Sequence, residues 1–233
     1  MRIIEQKEWN THQLVKWVAC NTANQPLSFL VILPSGVTKK VPWIIALHGF
    51  SSHKEEWLEL DGYTKGGNLV KALADMGYAV VAVDINYDDL MVNGREGFFN
   101  RTVENVETVI SALVKSDQFD EGRLGFLSYS LGGLFGFWLA NRNVPFKMVV
   151  MYVPPVYREE DDQYAPYNNL SNLAHQSVLF IAAEKDEETP FQDSQWLYAQ
   201  LPMTDKYFLS YPSNHSLPLD YVPEAVEWFK QRL

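Results

Sequence analysis

The sequence predicts an α/β fold: one mostly parallel central sheet, helices on both of its faces, and an antiparallel hairpin at the N-terminal edge. Three observations predict it. Short runs dominated by apolar residues, at 43–47, 78–83, 124–127, 147–153 and 177–183, have the composition of strands buried on both faces. Stretches with helical spacing separate several of them, so strands and helices alternate from residue 43 onward, the signature of a parallel sheet covered on both sides. Upstream, residues 12–33 alternate apolar and polar positions around a turn at 21–26, which is hairpin patterning.

Taken in order, Leu14, Trp17 and Ala19, then Leu27, Phe29, Val31 and Leu33, form the hairpin, and Pro34, Ser35 and Gly36 end it. The strand 43–47 stops at His48-Gly49-Phe50. Residues 66–76 have helical spacing through Leu69, Val70 and Leu73 and close at Gly77. The strand 78–83 ends at Asp84, and a loop over 85–99 leads to a helix at about 102–115, with Val103, Val106, Val109, Ile110 and Leu113 on one face. Strands at 147–153, 177–183 and 206–211 follow the run at 124–127. Helices are predicted over 191–201 and 223–232. Ligands of such sheets bind beyond the carboxyl ends of the strands. No repeat, low-complexity tract or long linker divides the chain, so its 233 residues are read as a single domain, 1–233.

Composition narrows the function. Lys+Arg number 19 against Asp+Glu 29, a net charge of −10, which disfavours nucleic acid or an anionic membrane as the main partner. One cysteine, Cys20, precludes an intrachain disulfide. Charge interrupts the first residues before any signal-peptide core, and no apolar run approaches the ~20 residues of a membrane span, so a cytoplasmic protein is expected. The five histidines are scattered without zinc spacing, and neither metal nor cofactor is expected.

The chain is organised around residues 124–137, LGFLSYSLGGLFGF. A buried strand, a sharp turn at Ser128-Tyr129-Ser130-Leu131-Gly132 and an apolar helix fit this run. Ser130 is flanked by small residues two places before and after it, Ser128 and Gly132, as a strained strand-to-helix turn requires. The pattern resembles the nucleophile elbow of the α/β-hydrolase superfamily, with Ser128 in place of the first glycine, and the resemblance extends from about residue 12 to the C-terminus. Compact members, the dienelactone-hydrolase-like enzymes and small carboxylesterases, are the most similar. These have little or no cap, and the connection at 154–176 has room only for a short flap.

A serine hydroxyl needs a base, and the base an orienting carboxylate; the superfamily supplies them in the order Ser, acid, His. His215 follows the last strand, whereas His175 precedes a strand, at the wrong end of the sheet. After the strand 177–183 come Glu184, Asp186, Glu187 and Glu188. Asp186 ranks first by register and Glu187 second. The resemblance makes Ser130 the nucleophile, His215 the base and Asp186 the acid. It gives the oxyanion hole to the backbone N–H groups of Leu131 and Phe50, and His48 a role in propping the loop. One departure from relatives is an acidic, longer turn, Asp84 to Asp89. The aromatics Phe50, Trp57, Phe98, Phe99, Tyr129, Tyr157, Tyr164 and Tyr167, with Val156, lie on loops or turns that can face a pocket, and Glu159, Glu160, Asp161 and Asp162 would disfavour anionic substrates if they overhang it. The implied function is a serine esterase acting on a small-molecule ester. A prolyl-peptidase-like amidase or peptidase and a thioesterase use the same chemistry, and a non-catalytic binding protein of this fold is the remaining alternative.

Overall fold

The computed structural model describes residues 2–22, 24–142, 144–158, 163–173 and 175–233. Among these residues, nine strands form one sheet: β1 (Arg2–Trp9), β2 (His12–Cys20), β3 (Pro26–Leu33), β4 (Val41–Leu47), β5 (Ala79–Val83), β6 (Phe119–Tyr129), β7 (Met148–Tyr152), β8 (Ser177–Ala183) and β9 (Lys206–Tyr211). Their spatial order is β1-β2-β3-β5-β4-β6-β7-β8-β9. The first three strands and the β3–β5 pair are antiparallel, and every pairing from β4 onward among β4 to β9 is parallel. The predicted mixed sheet is therefore present.

Alternation along the strands divides the interior into two cores. Ile45, Val81, Phe126, Met151 and Phe180 face one side, where α2 (Asp88–Leu113), α3 (Gly132–Asn141) and α4 (Phe191–Gln200) pack. Ile44, Val80, Leu127, Val150 and Ile181 face the other, under α1 (Gly66–Asp75) and α5 (Tyr221–Arg232). β4 is buried at every position, as its unbroken apolar composition requires.

The structure departs from the sequence expectation in two places. The hairpin at 12–33 is not the sheet edge, because β1 pairs outside it. β1 is exposed on both faces apart from a half-buried Trp9, so it carries no apolar alternation to read, and its Arg2, Glu5, Lys7 and Glu8 suit an unpaired edge. The loop expected at 85–99 is mostly helical. Two helical segments, together spanning Asp88–Leu113, meet at Gly94, whose φ of 64° and ψ of −171° break the helix where only glycine sits without strain. The described part of the 154–176 connection holds one short 3₁₀ turn, Pro166–Leu173, with no room for a lid domain. The acidic run 159–162 lies outside the described residues.

Candidate active site

Ser130 leaves the end of β6 with φ of 47°, a left-handed conformation in a non-glycine residue, and α3 begins two residues later. Its N–H donates to the Tyr152 carbonyl at 2.8 Å, and its carbonyl accepts from Gly133 at 2.7 Å, so the strained turn is held on both sides. A Cβ on Gly132 would lie 2.5 Å from the Leu47 carbonyl oxygen, so only glycine lets the helix start so close to β4. Ser128 is fully buried, and its hydroxyl donates to the Val150 carbonyl at 3.3 Å.

Three residues from three separate strand ends converge here. His215 Nε2 lies 2.9 Å from Ser130 Oγ, and His215 Nδ1 lies 2.8 Å from Asp186 Oδ2. All three are buried, with 5–8% of their surface exposed. Of the four carboxylates after β8, Asp186 is the one hydrogen-bonded to His215. Glu184 instead accepts from Ser210, Glu187 is exposed, and Glu188 stands 3.7 Å from His215 Nε2 at the rim. Burial works against the Asp186 charge. The hydrogen bonds from His215 and from the Thr189 hydroxyl and N–H outweigh it and hold the carboxyl below its ordinary value. Thr189 was not anticipated from the sequence; a threonine three places after an aspartate in a turn is the signal that marks it. Tyr129 clamps the histidine loop by donating to the His215 carbonyl at 2.7 Å, and burial pushes its phenol well above the usual range, so it stays a neutral donor.

The loop after β4 is tied down by residues of the next strand end. The Ile85 N–H donates to His48 Nε2 at 2.9 Å, which places the proton on Nδ1, and Nδ1 donates to the Gly49 carbonyl at 2.8 Å. Burial lowers the His48 pKa, in keeping with a neutral prop. The Tyr87 hydroxyl donates to the same Gly49 carbonyl. No cis peptide occurs among the described residues, so the Phe50 N–H points opposite to that carbonyl, away from His48 and Tyr87. The acidic turn explains its own departure: Asp84 accepts from the Lys54 N–H at 2.7 Å and pairs with its ammonium, which anchors the far side of the loop.

Two cavities meet at Phe50. One, of about 460 Å³, contains Ser130 and His215 and is walled by Gly49, Tyr63, Tyr129 and Glu56. The other, of about 400 Å³, is lined by Phe98, Phe99, Leu131, Leu134, Tyr87 and Tyr157. A larger hollow of about 660 Å³, at Gln6, His12 and Pro34, holds none of these residues. Of the aromatics singled out from sequence, Phe50, Phe98, Phe99, Tyr129 and Tyr157 line the two site cavities. Trp57 is core beneath α1, and Tyr164 stacks on Phe99 and Trp138. Among the described residues no group of three or more His, Cys, Asp or Glu side chains is placed to hold a metal ion, and no helix is long and apolar enough to cross a membrane.

No family model and no curated protein sequence matches the chain. Solved structures do. A cold-adapted esterase from an Arctic intertidal metagenomic library superposes with a TM-score of 0.75 over 100% of both chains at 13% identity. An S-formylglutathione hydrolase from Agrobacterium tumefaciens gives a TM-score of 0.75, also over 100% of both, at 14% identity. Est1E from Butyrivibrio proteoclasticus gives 0.69 over 93% of this chain and 97% of its own, at 17% identity. The fold is the α/β-hydrolase fold. Within it, Ser130 occupies the turn after a central strand and His215 the loop after the last strand, so the α/β-hydrolase topology and the hydrogen-bonded chain coincide at one end of the sheet.

Proposed function

We propose that this protein is a serine hydrolase that cleaves small carboxylic esters through an acyl-enzyme. The observation that carries the reading is the continuous chain Ser130 Oγ, His215 Nε2, His215 Nδ1, Asp186 Oδ2, with links of 2.9 and 2.8 Å, on a serine in a left-handed turn. Ser130 Oγ attacks the ester carbonyl while His215 Nε2 takes its proton. The N–H groups of Leu131 and Phe50 receive the oxyanion, and the start of α3 adds the favourable end of a helix dipole. The orientation of the Gly49–Phe50 peptide supports the second donor. The intermediate collapses, the C–O bond to the alcohol breaks, and His215 protonates the departing oxygen. Water then attacks the acyl-Ser130 carbonyl with His215 again as base. The second collapse frees the acid and returns the proton to Ser130. Asp186 keeps the imidazole in the tautomer with its proton on Nδ1 and stabilises the imidazolium.

The leaving oxygen must lie beside His215, so the alcohol half of the ester occupies the cavity that His215 lines, and the apolar cavity beyond Leu131 takes the acyl or aryl half. Measuring kcat on p-nitrophenyl esters tests the mechanism. Ser130→Ala or His215→Ala is expected to cost on the scale of ~10⁶, the double variant hardly more, and Asp186→Asn less, about 10⁴. Additive losses for Ser130 and His215 would contradict a shared mechanism.

A further inference from the structure

Glu56 is a carboxylate out of place. It sits in the 3₁₀ turn Lys54–Leu58, is 6% exposed, and lines the cavity that contains Ser130 and His215. A buried carboxylate ordinarily has a cationic partner or a full set of donors. Glu56 has neither: among the described residues it makes no ion pair, and its side chain's one hydrogen bond is from the Ser52 hydroxyl to Oε2. The nearest cation in sequence, Lys54, is committed to Asp84 and Glu55, and His53 at the cavity mouth stands beside Glu55. Glu59 and Glu188 add two exposed carboxylates at the rim, and Tyr63 and Tyr129 supply aromatic surface. An acidic floor, an acidic rim and aromatic walls together form a site for a positively charged group. On the reading given above, this cavity takes the alcohol half of the substrate.

We infer that the preferred substrates are esters of alcohols that carry an ammonium group, with Glu56 as the residue that selects the charge. Glu56 touches the leaving group and takes no part in proton transfer. Its carboxylate lines the cavity with no cationic side chain paired to it among the described residues, and Glu188, 3.7 Å from His215 Nε2, extends the same field to the reacting end. The apolar acyl cavity has no carboxylate lining it, so the preference belongs to one half of the ester only.

The test compares a choline ester with the 3,3-dimethylbutyl ester of the same short acid, which has the same shape without the charge. The wild-type protein is expected to favour the choline ester by roughly tenfold or more in kcat/KM, and Glu56→Gln, which keeps the side chain's shape, to bring the two within about twofold. Glu55→Gln removes the same charge from the same turn, outside the cavity lining, and is expected to leave the ratio at its wild-type value. Equal rates on the two esters in the wild-type protein, or a ratio that survives Glu56→Gln, would overturn the inference. A p-nitrophenyl ester run alongside separates the claims: hydrolysis of it with no charge preference removes the inference alone, and failure to hydrolyse any ester removes the esterase reading beneath it.

Discussion

His48 is the residue whose chemistry is most easily misread. A histidine beside a candidate nucleophile invites the role of base, yet both of its nitrogens are occupied by backbone groups, Ile85 N–H and the Gly49 carbonyl. Its function is to fix the direction of one peptide. Its burial also has a measurable consequence. Because its pKa in the folded protein lies below the ordinary 6.5, the unfolded chain binds a proton that the folded chain refuses. The stability it confers is complete above 6.5 and is lost as the pH falls from there through the depressed value. Asp186, also depressed, adds a separate loss at the acid end, below the ordinary carboxylate range. Urea midpoints measured across the acidic range are therefore expected to fall in two stages. His48→Gln, which cannot titrate, is expected to flatten the first stage and to keep the second. A first stage unchanged in His48→Gln would contradict the assignment.

At the scale of the element, the strand-to-helix turn from β6 into α3 is set by close approach. The α3 helix is apolar all round and packs between the sheet and the 3₁₀ turn Pro166–Leu173, so it cannot shift to make room for a larger residue at its first position. Gly132→Ala would drive a Cβ into the carbonyls of Leu47 and His48, at 2.5 and 2.8 Å. The variant is expected to lose about 2 kcal/mol or more of stability, or to displace Ser130 and lose activity while folded. Denaturant unfolding and ester hydrolysis measured on the same sample check this; a variant as stable and as active as the parent would show that the approach is not rigid. Ser128 is the milder case, since its hydroxyl makes one long bond to Val150 and its size is what the turn needs.

For the whole molecule, what was legible in the sequence follows from burial. Strands β4, β5, β7 and β8, and β6 from Leu124 onward, are buried on both faces and announce themselves as apolar runs; Ser130 and Asp186 follow two of them, and His215 follows the half-exposed β9. β1 was invisible because both of its faces meet solvent, and the first turns of α2 were hidden by Gly94 and Gly97 in a polar stretch. Val153 is the least foreseeable residue, a β-branched side chain held at φ of 41° after β7, where its N–H donates to Ile181 at 2.7 Å; no local pattern points to it, since the tertiary contacts impose it. Glu56 was passed over for a related reason, because a glutamate in a charged loop reads as solvated and only the packing reveals its burial. The site itself is also a property of the whole chain, assembled from residues 85 positions apart in the case of Ser130 and His215. On the proposed function, one hydroxyl of the chain is expected to be activated and the rest inert. Labelling with a fluorophosphonate probe, followed by peptide mapping, measures this directly. A single adduct is expected, on Ser130, absent from Ser130→Ala and nearly absent from His215→Ala; an adduct on another residue, or ester hydrolysis that persists in Ser130→Ala, would contradict the proposed mechanism.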